Sequence, residues 1–246
     1  MDQHLGMNRT GIDMSPILIK KMMHVDEDIP TTTNGATTKS TIEDFFLENA
    51  EPLGSVPLPG TAKSMIKTVI KMASGKHPEV FINKLGERLA YERTGVRVYE
   101  QLIAKCLHSP NDLSPDVQLP IDKLEEFRRQ EEEHFELLAD CLKQIGADPT
   151  AQTPDADASG VAASGLMKVI SDPRTSISQS LQAMLAIEMA DNAAWELLMK
   201  LAEDMHMTDM ASRFQHALEQ EDVHLRHIRQ WYEESVRSQA KMAAMK

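Results

Sequence analysis

The chain has 246 residues, of which 41% are hydrophobic and only 4% aromatic, and its formal net charge is −12 at pH 7. This length supports one large domain or two small ones around a real apolar core. The negative charge argues against a nucleic-acid-binding protein, because such a protein needs a basic surface to contact the phosphates. The abundance of Ala, Leu, Glu, Lys and Gln favours helices over sheets.

Residues 1–60 differ in composition from the rest of the chain. They contain TTTNGATTKST and EPLGSVPLPG, which lack periodicity, so we expect an irregular arm. Physical reasoning assigns neither a structure nor a function to the GMNRTGIDMSP stretch of this arm. Residues 62–74, AKSMIKTVIKMAS, predict a short amphipathic helix, for which docking on the domain is preferred to binding at a membrane surface. The sequence therefore divides into an arm, 1–60, and a helical domain, 61–246.

Compartment and redox state follow from features that the sequence lacks. No apolar run approaches the roughly 18 residues of a membrane-spanning helix, and the N-terminal residues lack the basic-then-apolar order of a signal peptide. We therefore expect a cytoplasmic protein with no membrane span. Cys106 and Cys141 have neither metal-knuckle spacing nor a pairing pattern, so both are predicted to be reduced packing residues.

Four long helical patterns follow, at about 79–107, 122–145, 176–205 and 212–242. Asp122 and Glu125 are predicted to form a capping box at the start of the second helix, and Gly146 to end it. Thr208 is predicted to cap the N-terminal end of the fourth helix. The joins within each pair are shorter than the link of about thirty residues between the pairs, which predicts two antiparallel hairpins connected by one long crossover.

Each helix has an apolar stripe, spaced as one face of a bundle helix, that ionisable residues interrupt. The first and third stripes each contain one glutamate, and the second and fourth each contain a Glu-x-x-His pair. These residues are Glu92, Glu131 with His134, Glu188, and Glu221 with His224. A lone Glu-x-x-His is a weak signal, but two copies in stripe register, each preceded by a stripe glutamate, are a strong one.

Four carboxylates in one core require compensation, because each buried ionised group is costly. No predicted stripe contains a lysine or an arginine, and two histidines cannot balance four acids even when both are protonated. Two divalent cations can balance them, with neutral imidazoles as ligands. Residues three apart lie on one helical face, so each Glu-x-x-His pair can reach one point in the core. The pattern therefore predicts a dinuclear metal site.

These motifs resemble those of the ferritin-like superfamily, which includes rubrerythrins, bacterioferritins, manganese catalases and the small subunit of ribonucleotide reductase. The resemblance covers about residues 79–235. It implies an all-α, ferritin-like four-helix bundle whose two metal ions are held by the six stripe residues. The chain lacks the Cys-x-x-Cys pairs of rubrerythrin's rubredoxin module, and its long arm is unlike a ferritin cage subunit.

Residues next to the ligand motifs are candidates for holding the site. Gln130 and Gln220 each precede a motif glutamate, and they either orient the imidazole of the opposite motif or are plain surface residues. Asp191 and Asn192, one turn beyond the third stripe's glutamate, can help to hold the site or receive a shifting carboxylate. Of the two, Asn192 lies in the predicted stripe.

Four carboxylates and two imidazoles suit iron, with manganese or a mixed Fe/Mn pair as alternatives, rather than Cu(I) or thiolate-bound zinc. The first hypothesis is an oxidoreductase of oxidase, oxygenase or peroxidase/catalase type that reacts with O₂ or H₂O₂. The alternatives are a ferroxidase or iron-storage protein and a metal-free interaction scaffold. Tyr99 and Trp195 are interpreted as core packing before any redox role. The sequence does not determine whether the chain forms a homodimer, which organic substrate it has, if any, or which electron donor it uses.

Overall fold

A computed structural model describes residues 43–45, 47–50, 53–56, 78–109, 112–113 and 117–244, with side chains described to residue 241. The helix predicted at 62–74 and most of the arm, including GMNRTGIDMSP, lie outside the described residues. The chain forms two compact units, Met1–Ser55 and Val56–Lys246. In the first, residues 43–45 and 47–49 are helical. The division of the chain at residue 60 stays a prediction.

The described residues of the second unit form five helices. They are α1 (Pro78–His108), α2 (Ile121–Ile145), α3 (Pro154–Ser171), α4 (Ile177–Asp204) and α5 (Thr208–Ala244). The described part of the chain contains no strand, so the predicted all-α class is confirmed. Among the described helices, none has the length and apolarity that crossing a bilayer requires.

The ends of α2 test two predicted helix signals, with opposite results. The helix stops at Gly146, whose φ of 84° lies in the left-handed region that favours glycine, as predicted. The predicted capping box of Asp122 and Glu125 is wrong. The helix begins at Ile121, and the cap residue Pro120 makes no side-chain hydrogen bond to it, because proline has no polar side-chain atom to offer.

The crossover between the second and fourth helices contains the additional helix α3, which packs against α1 and α4. Thr153 caps this helix, and its Oγ1 accepts a hydrogen bond from the Ala156 N–H at 3.4 Å. Only Ala163 and Ile170 of α3 are fully buried. A helix that buries so few large side chains has little apolar periodicity, so the sequence predicted only a link here.

Contacts between side chains give the directions of the four long helices. The pairs are Glu92 with His134 and Tyr99 with Phe127 between α1 and α2, and Trp195 with Phe214 and Ser178 with Ser235 between α4 and α5. In both helix pairs the residue numbers rise along one helix as they fall along the other. Each pair is therefore an antiparallel hairpin.

The core consists of two apolar clusters, one on each side of the bundle's middle. One cluster contains Leu102, Cys106, Leu124, Leu181 and Ile228, and the other contains Leu85, Leu138, Cys141, Leu198 and Phe214. Both cysteines are free and buried in the core, as predicted for packing residues. Burial of an aliphatic or Phe side chain stabilises the fold by roughly 1.5–3 kcal/mol, so the clusters hold the helices against the polar layer between them.

Helix α4 begins with a capping box, and its contribution to stability can be measured. The Ser176 Oγ accepts a hydrogen bond from the Gln179 N–H at 3.1 Å, while Gln179 Oε1 accepts one from the Ser176 N–H at 2.8 Å. We expect Ser176→Ala to lower the free energy of unfolding by about 1 kcal/mol in urea denaturation. Ser212→Ala, at an exposed position inside α5, is the control and should change stability little. Equal stability of the two variants would contradict the capping role.

Candidate metal centre

All six predicted residues meet in the middle of the bundle, between the two apolar clusters. The exposed fraction of each is at most 2%, for Glu92, Glu131, His134, Glu188, Glu221 and His224. Their ligand atoms form two sets, each lying within 4.8 Å of one another: Glu131, Glu188, Glu221 and His224 in one, and Glu92, His134 and Glu221 in the other. Each set contains one histidine, and the two sets share Glu221.

Two glutamines fix the imidazole rings of this centre. His134 Nε2 donates a hydrogen bond to Gln220 Oε1 at 2.9 Å, and His224 Nε2 donates one to Gln130 Oε1 at 2.8 Å. Each glutamine comes from the helix that carries the other Glu-x-x-His motif. Of the two roles considered for these glutamines, orientation of the opposite imidazole is therefore confirmed. Both rings consequently turn Nδ1 toward the carboxylates.

The Nδ1 atoms lie close to carboxylate oxygens. His134 Nδ1 is 2.8 Å from Glu221 Oε1, and His224 Nδ1 is 3.2 Å from Glu221 Oε2 and 3.4 Å from Glu131 Oε1. Because Nε2 carries the proton in each ring, Nδ1 of a neutral imidazole presents a lone pair to these oxygens. Two electron-rich groups at this distance repel each other unless a proton or a metal ion lies between them.

Burial and charge shift the protonation equilibria of the centre. Burial, and then the neighbouring carboxylate of Glu221, raise the pKa values of Glu131 and Glu188 well above 4.5. Burial lowers the pKa of His134, but its contacts with Glu221 and Glu92 outweigh this effect and raise the pKa well above 6.5. Without a metal ion, these shifts favour proton binding at Glu131, Glu188 and His134.

Glycine at position 95 makes room for the carboxylate of Glu131. A Cβ atom at Gly95 would lie 2.0 Å from Glu131 Oε2 and 2.7 Å from its Cδ. At this level of α1 Gly95 is buried, whereas its neighbour Val96 is only partly buried. The glycine is needed because the acid comes from a different helix, which a stripe on α1 alone cannot reveal.

A buried arginine also reaches the centre. The sequence analysis did not find it, because only stripe positions were searched for basic residues. Arg88 is 1% exposed; its Nη1 lies 2.8 Å from Asp191 Oδ1 and its Nε 3.4 Å from Glu92 Oε1. Asp191 is the fifth buried acid, in place of the partly buried Asn192 of the predicted stripe. The i, i+4 spacing of Arg88 and Glu92 was the available sequence signal.

Burial and neighbouring charges act in opposite directions on Arg88 and Asp191. Burial lowers the pKa of the Arg88 guanidinium, but the carboxylates of Asp191 and Glu92 outweigh it and raise the pKa overall. Burial raises the pKa of Asp191 well above 3.8, because Arg88 lowers it only in part and the neighbouring acids Glu92 and Glu221 raise it further. Arg88 therefore supplies one positive charge beside five buried acids.

Two aromatic residues contact the centre directly. The Tyr99 hydroxyl donates a hydrogen bond to Glu188 Oε1 at 2.6 Å, and burial followed by the charge of Glu188 raises the pKa of Tyr99 well above 10.0. The Trp195 ring packs edge-on against His134 with centroids 5.3 Å apart. Both rings are fully buried, as core packing predicts, and both also contact residues of the centre.

The fold and centre define an all-helical bundle protein with a buried carboxylate and histidine group that can hold a metal ion. The chain belongs to the family described as "Domain of unknown function (DUF892)", which matches residues 76–241. This match covers α1 to α4 and nearly all of α5, and it includes the six residues of the centre. No curated protein and no solved structure matches the chain.

The raised pKa values predict how metal removal affects stability. For Glu131, Glu188 and His134, the stabilising contribution is present below the unfolded values of 4.5 and 6.5, and it is lost as pH rises through the raised folded values. The lowered pKa of Glu221 contributes equally at every pH well above 4.5. The metal-free protein should therefore melt at lower temperature as pH rises above about 4.5.

Bound divalent ions replace these protons, so they should remove most of this pH dependence. Melting curves with Mn²⁺ and with chelator, at matched pH from 5 to 9, should show a temperature difference that grows with pH. Comparison at each pH cancels the repulsion that arises from the overall negative charge. A difference that stays constant or shrinks with rising pH would contradict protons and metal ions competing for the same groups.

Gly95→Ala tests whether the position of Glu131 matters for metal binding. Alanine favours the helix by up to about 1 kcal/mol, but its Cβ forces the Glu131 carboxylate out of its place. We expect the metal-free variant to fold with at least wild-type stability and to bind Mn²⁺ more weakly, as measured by calorimetric titration. Gly160→Ala in α3, where a Cβ meets nothing within 4 Å, is the control. Unchanged Mn²⁺ affinity in Gly95→Ala would show that Glu131 is not needed there.

Proposed function

We propose that this chain is a ferritin-like, dinuclear non-haem metal protein that acts as an oxidoreductase on O₂ or H₂O₂. Its ligands are Glu92, Glu131, His134, Glu188, Glu221 and His224. The two ligand sets support this assignment, because each contains one histidine and Glu221 belongs to both. The antiparallel hairpins and the long crossover between them agree with the ferritin-like arrangement.

The observation that carries the proposal is the set of buried polar atoms that have no hydrogen-bond partner and converge on one point. They include both oxygens of Glu92 and of Glu221, one oxygen each of Glu131 and Glu188, and Nδ1 of both histidines. Each unsatisfied buried group costs about 1–3 kcal/mol, and more when it is charged. Cations bound among these atoms satisfy all of them at once, which makes this donor set fit a metal pair.

The donor chemistry favours particular metals. Carboxylate oxygens and imidazole nitrogens are the ligands of iron and manganese in oxygen-rich sites, and neither Cys106 nor Cys141 belongs to the ligand sets. We therefore propose two iron ions, with manganese or a mixed Fe/Mn pair as alternatives. Such a pair supplies two-electron exchange with O₂ or peroxide when bound.

Aromatic contacts favour redox catalysis over storage. The Tyr99 hydroxyl oxygen lies 2.6 Å from Glu188 Oε1 and donates its proton to that oxygen, so Oε2 is left for a metal ion. Trp195 contacts the imidazole of His134. Oxidisable rings in contact with ligands can pass electrons to the centre, a function that a storage site does not need.

Burial favours a small oxidant as the substrate. All six ligand residues are at most 2% exposed. A cleft of about 690 Å³ lies between α1, α2, α3 and the 149–152 segment, and its lining includes Leu89, Thr94 and Phe135 but none of the six residues. Molecules of the size of O₂ or H₂O₂ therefore suit this centre better than a bulky organic substrate.

Repeated turnover tests the proposed activity. The protein loaded with Fe(II), or with Mn(II), should consume O₂ or H₂O₂ over many cycles when reductant is supplied, or dismutate peroxide if the ions are manganese. Glu131→Ala and His224→Ala should abolish this turnover without loss of helical content. Glu133→Ala, an exposed neighbour on α2, is the control and should retain activity. Oxygen-electrode and peroxide assays measure the rates.

Other outcomes of this experiment identify the alternative functions. One reaction with Fe(II) per site, followed by accumulation of a ferric mineral, would contradict catalysis and establish a ferroxidase or storage protein. Failure of the wild-type chain to bind any divalent ion would contradict the metal site itself and favour an interaction scaffold.

A further inference from the structure

A buried ion pair between α1 and α4 lies beside the proposed ligands. Arg88 and Asp191 are each 1% exposed, and Arg88 Nη1 is 2.8 Å from Asp191 Oδ1. Buried charges require excellent geometry, because the desolvation of a pair can exceed the attraction within it. A buried ion pair at this position therefore needs a role other than stabilising the fold.

The guanidinium of Arg88 is held from several directions. Besides the Asp191 carboxylate, Nη1 contacts the Asp191 carbonyl oxygen at 3.3 Å. The guanidinium carbon lies 4.2 Å from the centroid of the Tyr91 ring, and Tyr91 donates its hydroxyl hydrogen to the Ile187 carbonyl at 3.2 Å. These contacts fix the positive charge at one point beside the acids.

Arg88 contacts two members, Glu92 and Asp191, of a third set of acids that could hold a cation. Ligand oxygens of Glu92, Glu131, Asp191 and Glu221 lie within 4.8 Å of one another. Three of these four acids also belong to the two proposed metal positions, and Asp191 is the additional one. Both oxygens of Asp191 are buried without a hydrogen-bond partner, and within the described part of the chain Arg88 is the one cation paired with it.

We propose that the Arg88 guanidinium acts as a fixed third cation, which keeps Asp191 out of the metal ligand set and limits the centre to two divalent ions. This inference rests on the proposed dinuclear centre. Four of the five buried acids balance two divalent ions, and Arg88 balances the fifth. A neutral side chain at position 88 would leave Asp191 free to complete a third metal position with Glu92 and Glu131.

Metal stoichiometry tests this proposal without reference to activity. Wild-type protein, Arg88→Met and the double variant Arg88→Met with Asp191→Asn are dialysed against Mn²⁺, and bound metal per chain is measured. We expect two ions in the wild type, three in Arg88→Met and two in the double variant. Two ions in Arg88→Met would overturn the proposal. Three ions in both variants would overturn it as well, because the third ion would then not depend on Asp191.

Asp191→Asn alone decides the question if Arg88→Met does not fold. This near-isosteric change leaves Arg88 without its partner, so its positive charge acts on Glu92 and the metal positions. We expect the second Mn²⁺ to bind at least about tenfold more weakly than in the wild type, because an uncompensated charge lies close by. Wild-type affinity for both ions would overturn the proposal. A wild-type protein that binds no Mn²⁺ would instead reject the proposed dinuclear centre.

Discussion

The cost of burying carboxylates in the middle of a helical bundle governs the rest of this structure. Five acids lie within the polar layer, and the described residues provide one arginine and two histidines around them. Such a layer weakens the core unless cations enter it. The two apolar clusters on either side supply the packing that keeps the four long helices together across this layer. Stability and metal binding are thus parts of one constraint.

Several local features follow from that constraint. Gly95 leaves space for the Glu131 carboxylate where it packs against α1. Gln130 and Gln220 hold the Nε2 sides of the two rings, so that Nδ1 is available on the side of the acids. The Arg88 guanidinium is oriented by the Tyr91 ring, which α4 in turn fixes through a backbone carbonyl. Each feature acts on the position or direction of a polar group.

The sequence was informative where one helix alone carries the signal. Stripe spacing predicted the six central residues because their burial depends on the period of their own helix. It failed for Arg88, whose long side chain reaches the core from beside the stripe, and for Gly95, whose role depends on an acid from α2. Helix α3 was missed because small residues form most of it and few of them are fully buried. Tertiary contacts, which one sequence cannot show, decide these three cases.

Anomalous diffraction from crystals grown with Mn²⁺ would test the central claim most directly. The account predicts two anomalous peaks inside the bundle, one beside Nδ1 of His134 and one beside Nδ1 of His224, with Glu221 contacting both ions. Arg88 should remain paired with Asp191 in the same map. Absence of any interior peak at saturating Mn²⁺, with the acids paired through protons or water, would contradict it.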